Sequence, residues 1–195
     1  MELYATAVVV LLASVGYPQT PAIYTDTVVP DFRVEVFGYI EDDFHRRVER
    51  YVELRRSLEE GLPPLTVTDD PAAIGRAEAA LARKIRVARG PVQGQIFTPA
   101  ISAELKRTLM LVVNANTLAT IMDENPGEFP YRINGTYPKS QPLATMPATV
   151  LAVLPILPGD IQYRFLGRHL ILHDTRANVI LDRISCALEC SDLGN

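Results

Sequence analysis

The segment IQYRFLGRHLILHD, residues 161–174, constrains the fold of this chain more than any other stretch. Large apolar residues alternate with polar ones on both sides of Gly167-Arg168, and such alternation is typical of strands with one buried face. A glycine followed by one further residue forms a favoured two-residue hairpin turn. The sequence therefore predicts a β-hairpin in which Leu166 lies opposite His169 and Gln162 opposite His173. After the loop TRAN, the stretch VILDRIS predicts a third strand.

Helix signals precede this strand-rich end of the chain. The stretch VTDDPAAIGRAEAALARKIRVARG has aspartates that can cap a helix, Pro71 at the first helical position and Gly90 as its stop. A helix before it carries Phe44, Val48, Tyr51 and Leu58 on one face, and a helix after it begins at Thr98-Pro99. The stretch NANTLATIMDENPG either continues that last helix or starts a new short one.

Three further segments complete the predicted order of elements. FRVEVFGYI, residues 32–40, alternates and predicts a short strand ahead of the first helix. YRINGTYP predicts a strand with a turn at Asn134-Gly135, and MPATVLAVLP predicts a short apolar helix that begins at Pro147. Three or four helices followed by a C-terminal antiparallel β-meander indicate a single α+β domain over residues 32–195.

The predicted hairpin places four polar side chains on one face of the sheet: Gln162, Arg164, His169 and His173. On a helix, two histidines four residues apart could share a metal ion, but along a strand four residues span about 13 Å. We therefore expect no shared metal site and no cofactor. The plainest interpretation is a solvated polar face, and the alternatives are a binding surface formed by these four residues or a catalytic site.

The N-terminal residues include a long apolar run. Residues 5–16, ATAVVVLLASVG, are twelve small and apolar residues, which is too short for a transmembrane helix of about 20 residues. The length matches the apolar region of a signal peptide, and Ser14 and Gly16 supply the small residues of a cleavage site. We expect residues 1–16 to be a signal peptide and residues 17–31 an extended arm, so that the mature chain has no transmembrane span. The acidic Glu2 does not fit this interpretation, and a buried N-terminal strand or helix is the alternative.

The two cysteines, Cys186 and Cys190 in SCALEC, bear on the same question. In an oxidising compartment an even count fits one disulfide bond. Two thiols alone do not make a structural zinc site, which takes four ligands. A local bridge in a non-helical tail and a pair of free thiols both remain open.

Charge and motifs narrow the possible functions further. The net charge of −4 over 195 residues argues against a dedicated nucleic-acid binder. The sequence contains no GxSxG elbow, P-loop, HExxH or GxGxxG motif. Asp174 and Asp182 are expected near each other across the last hairpin, where two carboxylates could serve as acid and base. The basic stretch from Arg76 to Arg107, with seven Lys or Arg against two Glu, could alternatively bind an anion.

The segment LPILPGDIQYRFLGRHLILHDTRANVILDRI resembles the C-terminal part of a group of bacterial proteins that carry export signals. The resemblance covers about 35 residues of the tail. It implies secretion or periplasmic residence, but no activity, and it transfers no site residue to this chain.

These observations lead to two hypotheses of different classes. The first is a periplasmic or secreted bacterial protein that is not an enzyme and binds a protein, a peptide or an envelope component. The second is a hydrolase of the cell envelope that uses carboxylates or the histidines of the C-terminal sheet. A deep pocket that converges on His169, His173 or Asp174 would favour the hydrolase.

Overall fold

The computed structural model describes residues 32–63 and 69–190, without the side chains of residues 32–37. The predicted signal peptide (1–16) and arm (17–31) therefore lie outside the described residues. The elements follow one another as helices and then strands: α1 (Phe32–Glu60), α2 (Pro71–Arg89), α3 (Pro99–Val112), α4 (Ala115–Asp123), α5 (Ala148–Leu151), β1 (Ile161–Leu166), β2 (His169–Asp174) and β3 (Val179–Ile184). The α+β class and the C-terminal antiparallel meander are confirmed.

Helix α1 begins earlier than the sequence pattern predicted. The expected strand at residues 32–40 is wrong, because this stretch forms the first turns of α1. Ile40 packs against the same core that buries Phe44, Val48 and Tyr51. Spacings of four, four and three residues place these side chains on one helical face, and Ile40, the last residue of the supposed strand, belongs to it.

The predicted start and end of α2 and the predicted start of α3 are confirmed. The Asp70 carboxylate accepts a hydrogen bond from the backbone N–H of Ala72, and Gly90 ends α2 with φ of 65°, a conformation that favours glycine. At the start of α3, the Thr98 side chain accepts a hydrogen bond from the N–H of Ile101. Helix α4 is a separate element, because Asn114 caps its own first turn.

The three strands form an antiparallel sheet in the order β1-β2-β3. Leu166 pairs with His169, Arg164 with Ile171 and Gln162 with His173, as the two-residue turn at Gly167-Arg168 predicts. The register shifts between β2 and β3, so that His173 lies opposite Ile180 and Leu172 opposite Asp182. Leu181 is the extra residue of this bulge, and it turns Asp182 toward the helix side of the sheet.

Both faces of the sheet are covered. On one face, Tyr163, Phe165, Leu170 and Leu172 belong to the main core, together with the apolar residues of α1, α2 and α3. On the other face, Leu166, Ile171 and Ile180 form a second cluster with Tyr137, against which Phe129, Tyr131 and Ile133 pack.

The segment 129–137 that covers this second face is irregular. The strand predicted for YRINGTYP is wrong, because the segment contributes one isolated β-bridge, Thr136 to Val179, to the described part of the chain. The short helix predicted after Pro147 is confirmed as α5. In residues 32–63 and 69–190, no helix is long and apolar enough to cross a bilayer.

Candidate functional site

The four polar residues predicted for one sheet face do share that face, but an apolar cluster covers part of it and buries His173. His173 is 3% exposed, and its ring lies 5.1 Å from the ring of Tyr137, which belongs to the covering segment. The expectation of a solvated polar face is therefore wrong. Sequence periodicity could not show this, because an irregular segment carries no pattern that identifies it as a cover for a sheet.

His173 has a partner on one ring nitrogen alone. Its Nε2 lies 3.0 Å from the side-chain oxygen of Asn178, while its Nδ1 has no hydrogen-bond partner in the described structure. Burial lowers the pKa of His173, and the hydrogen bond to Asn178 opposes that effect in part. The side chain is therefore held as a neutral imidazole near pH 7.

His169, at the other end of β2, has different partners. Its Nδ1 accepts a hydrogen bond of 3.0 Å from the backbone N–H of Cys186, and its Nε2 lies 3.3 Å from a carboxylate oxygen of Glu128. Cys186 and Cys190 are joined by a disulfide bond in a non-helical segment, with their Cα atoms 5.4 Å apart. His169 thus ties the disulfide loop to the hairpin.

His169 and His173 do not face a shared binding site, because the ring of each contacts a different set of neighbours. Across residues 32–63 and 69–190, no three His, Cys, Asp or Glu side chains are grouped so that they could hold a metal ion.

The two acidic residues expected as an acid and base pair are both fully buried and serve separate networks. Asp174 accepts a hydrogen bond of 2.5 Å from the Tyr51 hydroxyl and is paired with Arg55 at 3.2 Å. Burial, together with the Asp174 carboxylate, raises the pKa of Tyr51 well above its usual range. Asp182 accepts hydrogen bonds from the backbone N–H groups of Gly94, Ile96 and Phe97. Both carboxylates are fully buried, and each accepts hydrogen bonds from its own set of neighbours.

Gln162 and Arg164 lie on the same sheet face but reach solvent. One terminal nitrogen of Arg164 donates to the backbone oxygen of Ala144 at 2.6 Å, and the other donates to the side-chain oxygen of Gln162. Arg164 has no carboxylate partner within the described ranges, and its Nε has no hydrogen-bond partner there. Partial burial lowers the pKa of this guanidinium. It is a positive charge without a counter-charge from the described residues.

Both side chains line a pocket of about 560 Å³ between β1 and the segment that follows α5. The rest of its wall is largely apolar and includes Leu151, Leu154, Ile156 and Leu157. The segment is held to β1 by hydrogen bonds from the Tyr163 hydroxyl to the Pro155 oxygen and from the Ile161 N–H to the Pro158 oxygen. Leu151 is about half exposed, and Ile156, at 86% exposed, projects into solvent at the rim.

The outer edge of β1 is not free to accept another strand. The hairpin alternation directs the backbone groups of Tyr163 and Phe165 away from β2, yet these residues are 4% and 2% exposed. A ligand would therefore enter the pocket with its side chains rather than extend the sheet.

Two polar residues of this pocket, Gln162 and Arg164, were predicted from the sequence, whereas its apolar wall was not. The available signal was the run TVLAVLPILP, which holds more apolar residues than a four-residue helix can bury. Comparison of the whole chain with known protein families, with curated proteins and with solved structures finds no match, so the pocket is interpreted from its own geometry.

Proposed function

We propose that this chain is an exported binding protein without enzymatic activity, and that the pocket between β1 and the segment after α5 holds its partner. The partner is a protein or peptide that presents an apolar side chain next to an acidic group. The observation that carries this proposal is the position of Arg164, which lines an apolar pocket and lacks a carboxylate partner among the described residues.

The dimensions and lining of the pocket support a binding role. Sites for ligands commonly have volumes of about 300–1,000 Å³ and combine apolar walls with a few polar groups that orient the ligand. Arg164 and Gln162 would supply those polar groups here. A carboxylate near the free donors of Arg164 would form a charge-assisted hydrogen bond, which is stronger than a neutral one.

A protein or peptide fits this site better than a small molecule because the apolar surface extends beyond the pocket. Leu151 and Ile156 stand at the rim, where a ligand enclosed in the pocket would leave them in water. Full burial of a side chain the size of isoleucine contributes about 1.5–3 kcal/mol, and exposed apolar patches commonly mark surfaces for partners.

Export rests on the sequence. The apolar run of residues 5–16 has the length of a signal-peptide core, and the disulfide bond between Cys186 and Cys190 suits an oxidising compartment. We therefore place the protein in the periplasm or outside the cell, where its partner is a protein or peptide of the envelope or the surroundings. The hydrolase alternative receives no support from Asp174, Asp182 or His173, which are buried and engaged with other residues.

A library of short random peptides displayed on phage tests the proposal. Peptides retained by the wild-type protein should be enriched in large apolar residues adjacent to Asp or Glu. Ile156→Asp should abolish their binding, and Arg164→Gln should retain the apolar preference while losing the acidic one.

Val87→Asp is the matched control, because Val87 is 83% exposed on α2 and does not line the pocket. Binding measured by fluorescence polarisation should be unchanged in this variant. No enrichment over the library background, or equal losses in Ile156→Asp and Val87→Asp, would refute the proposed site.

A further inference from the structure

A second pocket, of about 290 Å³, lies between α1 and α2, and its polar lining is basic. Arg47 and Arg50 reach it from α1, and Arg89 from the last turn of α2. Tyr51, Leu54 and Ile96 form apolar parts of the wall, and Gln95 is its other polar side chain. No carboxylate lines this pocket among the described residues.

Arg89 is fixed in place before any ligand arrives. The residue is 9% exposed, and its guanidinium lies 5.1 Å from the centre of the Tyr51 ring. Its Nε donates to the Gln95 side chain at 3.0 Å, and its Nη1 donates to the Asn134 side chain at 2.7 Å and to the Leu181 backbone oxygen at 3.3 Å. These contacts use three of the five N–H donors of the guanidinium and leave the two on Nη2.

The other two arginines also have free donors. Arg47 donates from Nε to Asp43 at 2.8 Å and from Nη1 to the Gln95 backbone oxygen at 2.9 Å, and its Nη2 has no partner in the described structure. Arg50 makes no hydrogen bond or ion pair with any described residue. The Nη2 atoms of Arg47 and Arg89 are not among the buried side-chain atoms that lack a partner, so both retain some access to solvent, and Arg50 is an exposed residue.

The local charge is positive even when the nearest acids are included. Asp43 pairs with Arg47, the buried Asp182 acts on Arg89, and Asp174, which binds the Tyr51 hydroxyl, is paired with Arg55, so one positive charge remains in excess. Burial nevertheless lowers the pKa of Arg89. A buried guanidinium without a carboxylate contact is costly, and an anion in the pocket would offset that cost.

We propose that this pocket binds a small oxyanion of the phosphate type. Guanidinium groups match phosphate oxygens with paired N–H donors, and the free donors of Arg47, Arg50 and Arg89 surround one pocket. The volume of about 290 Å³ lies just below the common range for ligand sites, so the occupant is small, such as a phosphate group with little attached to it. The site is distinct from the pocket at β1, with which it shares no lining residue.

Isothermal titration of the protein with inorganic phosphate at low ionic strength tests this inference. We expect one saturable site that sodium chloride at equal ionic strength does not reproduce. Arg50→Gln and Arg47→Gln should each weaken binding by about tenfold, because each substitution removes charge-assisted donors. Arg46→Gln is the control, since Arg46 is exposed on α1, pairs with the same Asp43 and does not line the pocket.

A titration with glycerol phosphate defines the source of the anion. Glycerol phosphate that binds at least as tightly as inorganic phosphate would identify a phosphomonoester site, and much weaker binding would identify a site for the free anion. Absence of saturable phosphate binding would overturn the inference. So would equal weakening by Arg46→Gln and Arg50→Gln, because that result would reflect the general charge of α1 rather than a built site.

Discussion

Replacement of Ile171 by alanine tests whether the sheet is covered on both faces. Ile171 is fully buried in the second cluster, on the face opposite to Leu172. The substitution removes three carbon atoms, which at about 0.8 kcal/mol each amounts to about 2.4 kcal/mol of lost transfer free energy. The cavity left behind adds to this loss, so we expect the free energy of unfolding to fall by about 3 kcal/mol.

In a domain of this size, such a loss corresponds to a fall of about 6–12 °C in the thermal midpoint. Thermal and urea melts of Ile171→Ala and Leu172→Ala should show losses of similar size, because both substitutions remove the same number of carbons from fully buried sites. Val87→Ala, at an exposed position, should stay within about 0.5 kcal/mol of wild type. If Ile171→Ala behaves like Val87→Ala while Leu172→Ala is strongly destabilised, the segment 129–137 does not cover the second face.

Two further outcomes can be measured directly. Protein recovered from the periplasm of an expressing bacterium should begin near Tyr17 on N-terminal sequencing, and recovery of the full-length chain from the cytosol alone would refute export. Burial lowers the pKa of His173 below its ordinary 6.5, so the unfolded chain takes up a proton first and stability should decline as the pH falls below about 6.5 toward the lowered value. In urea melts at several pH values, His173→Gln should make the free energy of unfolding less dependent on pH. If His173→Gln leaves the decline unchanged and His169→Gln reduces it, His173 is not the residue responsible.

Local signals account for what the sequence predicted well. Pro71 and Gly90 delimit α2, Thr98 begins α3, and the Gly167-Arg168 turn sets the register of the hairpin, because each of these features acts through its immediate neighbours. The error at residues 32–40 has an equally local cause. Alternation over five residues fits a strand, but the helical spacing of Ile40, Phe44, Val48 and Tyr51 belongs to α1, and α1 includes the alternating stretch.

The features that the sequence did not predict depend on contacts between distant segments. Burial of His173 requires Tyr137 from an irregular loop, and the pocket near Arg164 requires the segment after α5 to return along β1. The basic pocket joins Arg47 to Arg89 across two helices. Neither periodicity nor a short motif predicts contacts between segments that are distant in the sequence. Of the four polar residues predicted for the sheet face, Gln162 and Arg164 line a pocket, and His169 and His173 bind other parts of the fold.

The bulge at Leu181 has a consequence for how this domain opens. By turning Asp182 toward the helices, it allows one carboxylate to bind backbone N–H groups of Gly94, Ile96 and Phe97, in the connection between α2 and α3. That connection has no helix or strand of its own, and loops of this kind usually exchange their amide protons rapidly. Here the Asp182 carboxylate of β3 holds these amides, so we expect the loop and the last strand to open together as one cooperative unit. The amides of Ile96 and Phe97 should therefore exchange as slowly as those of the sheet.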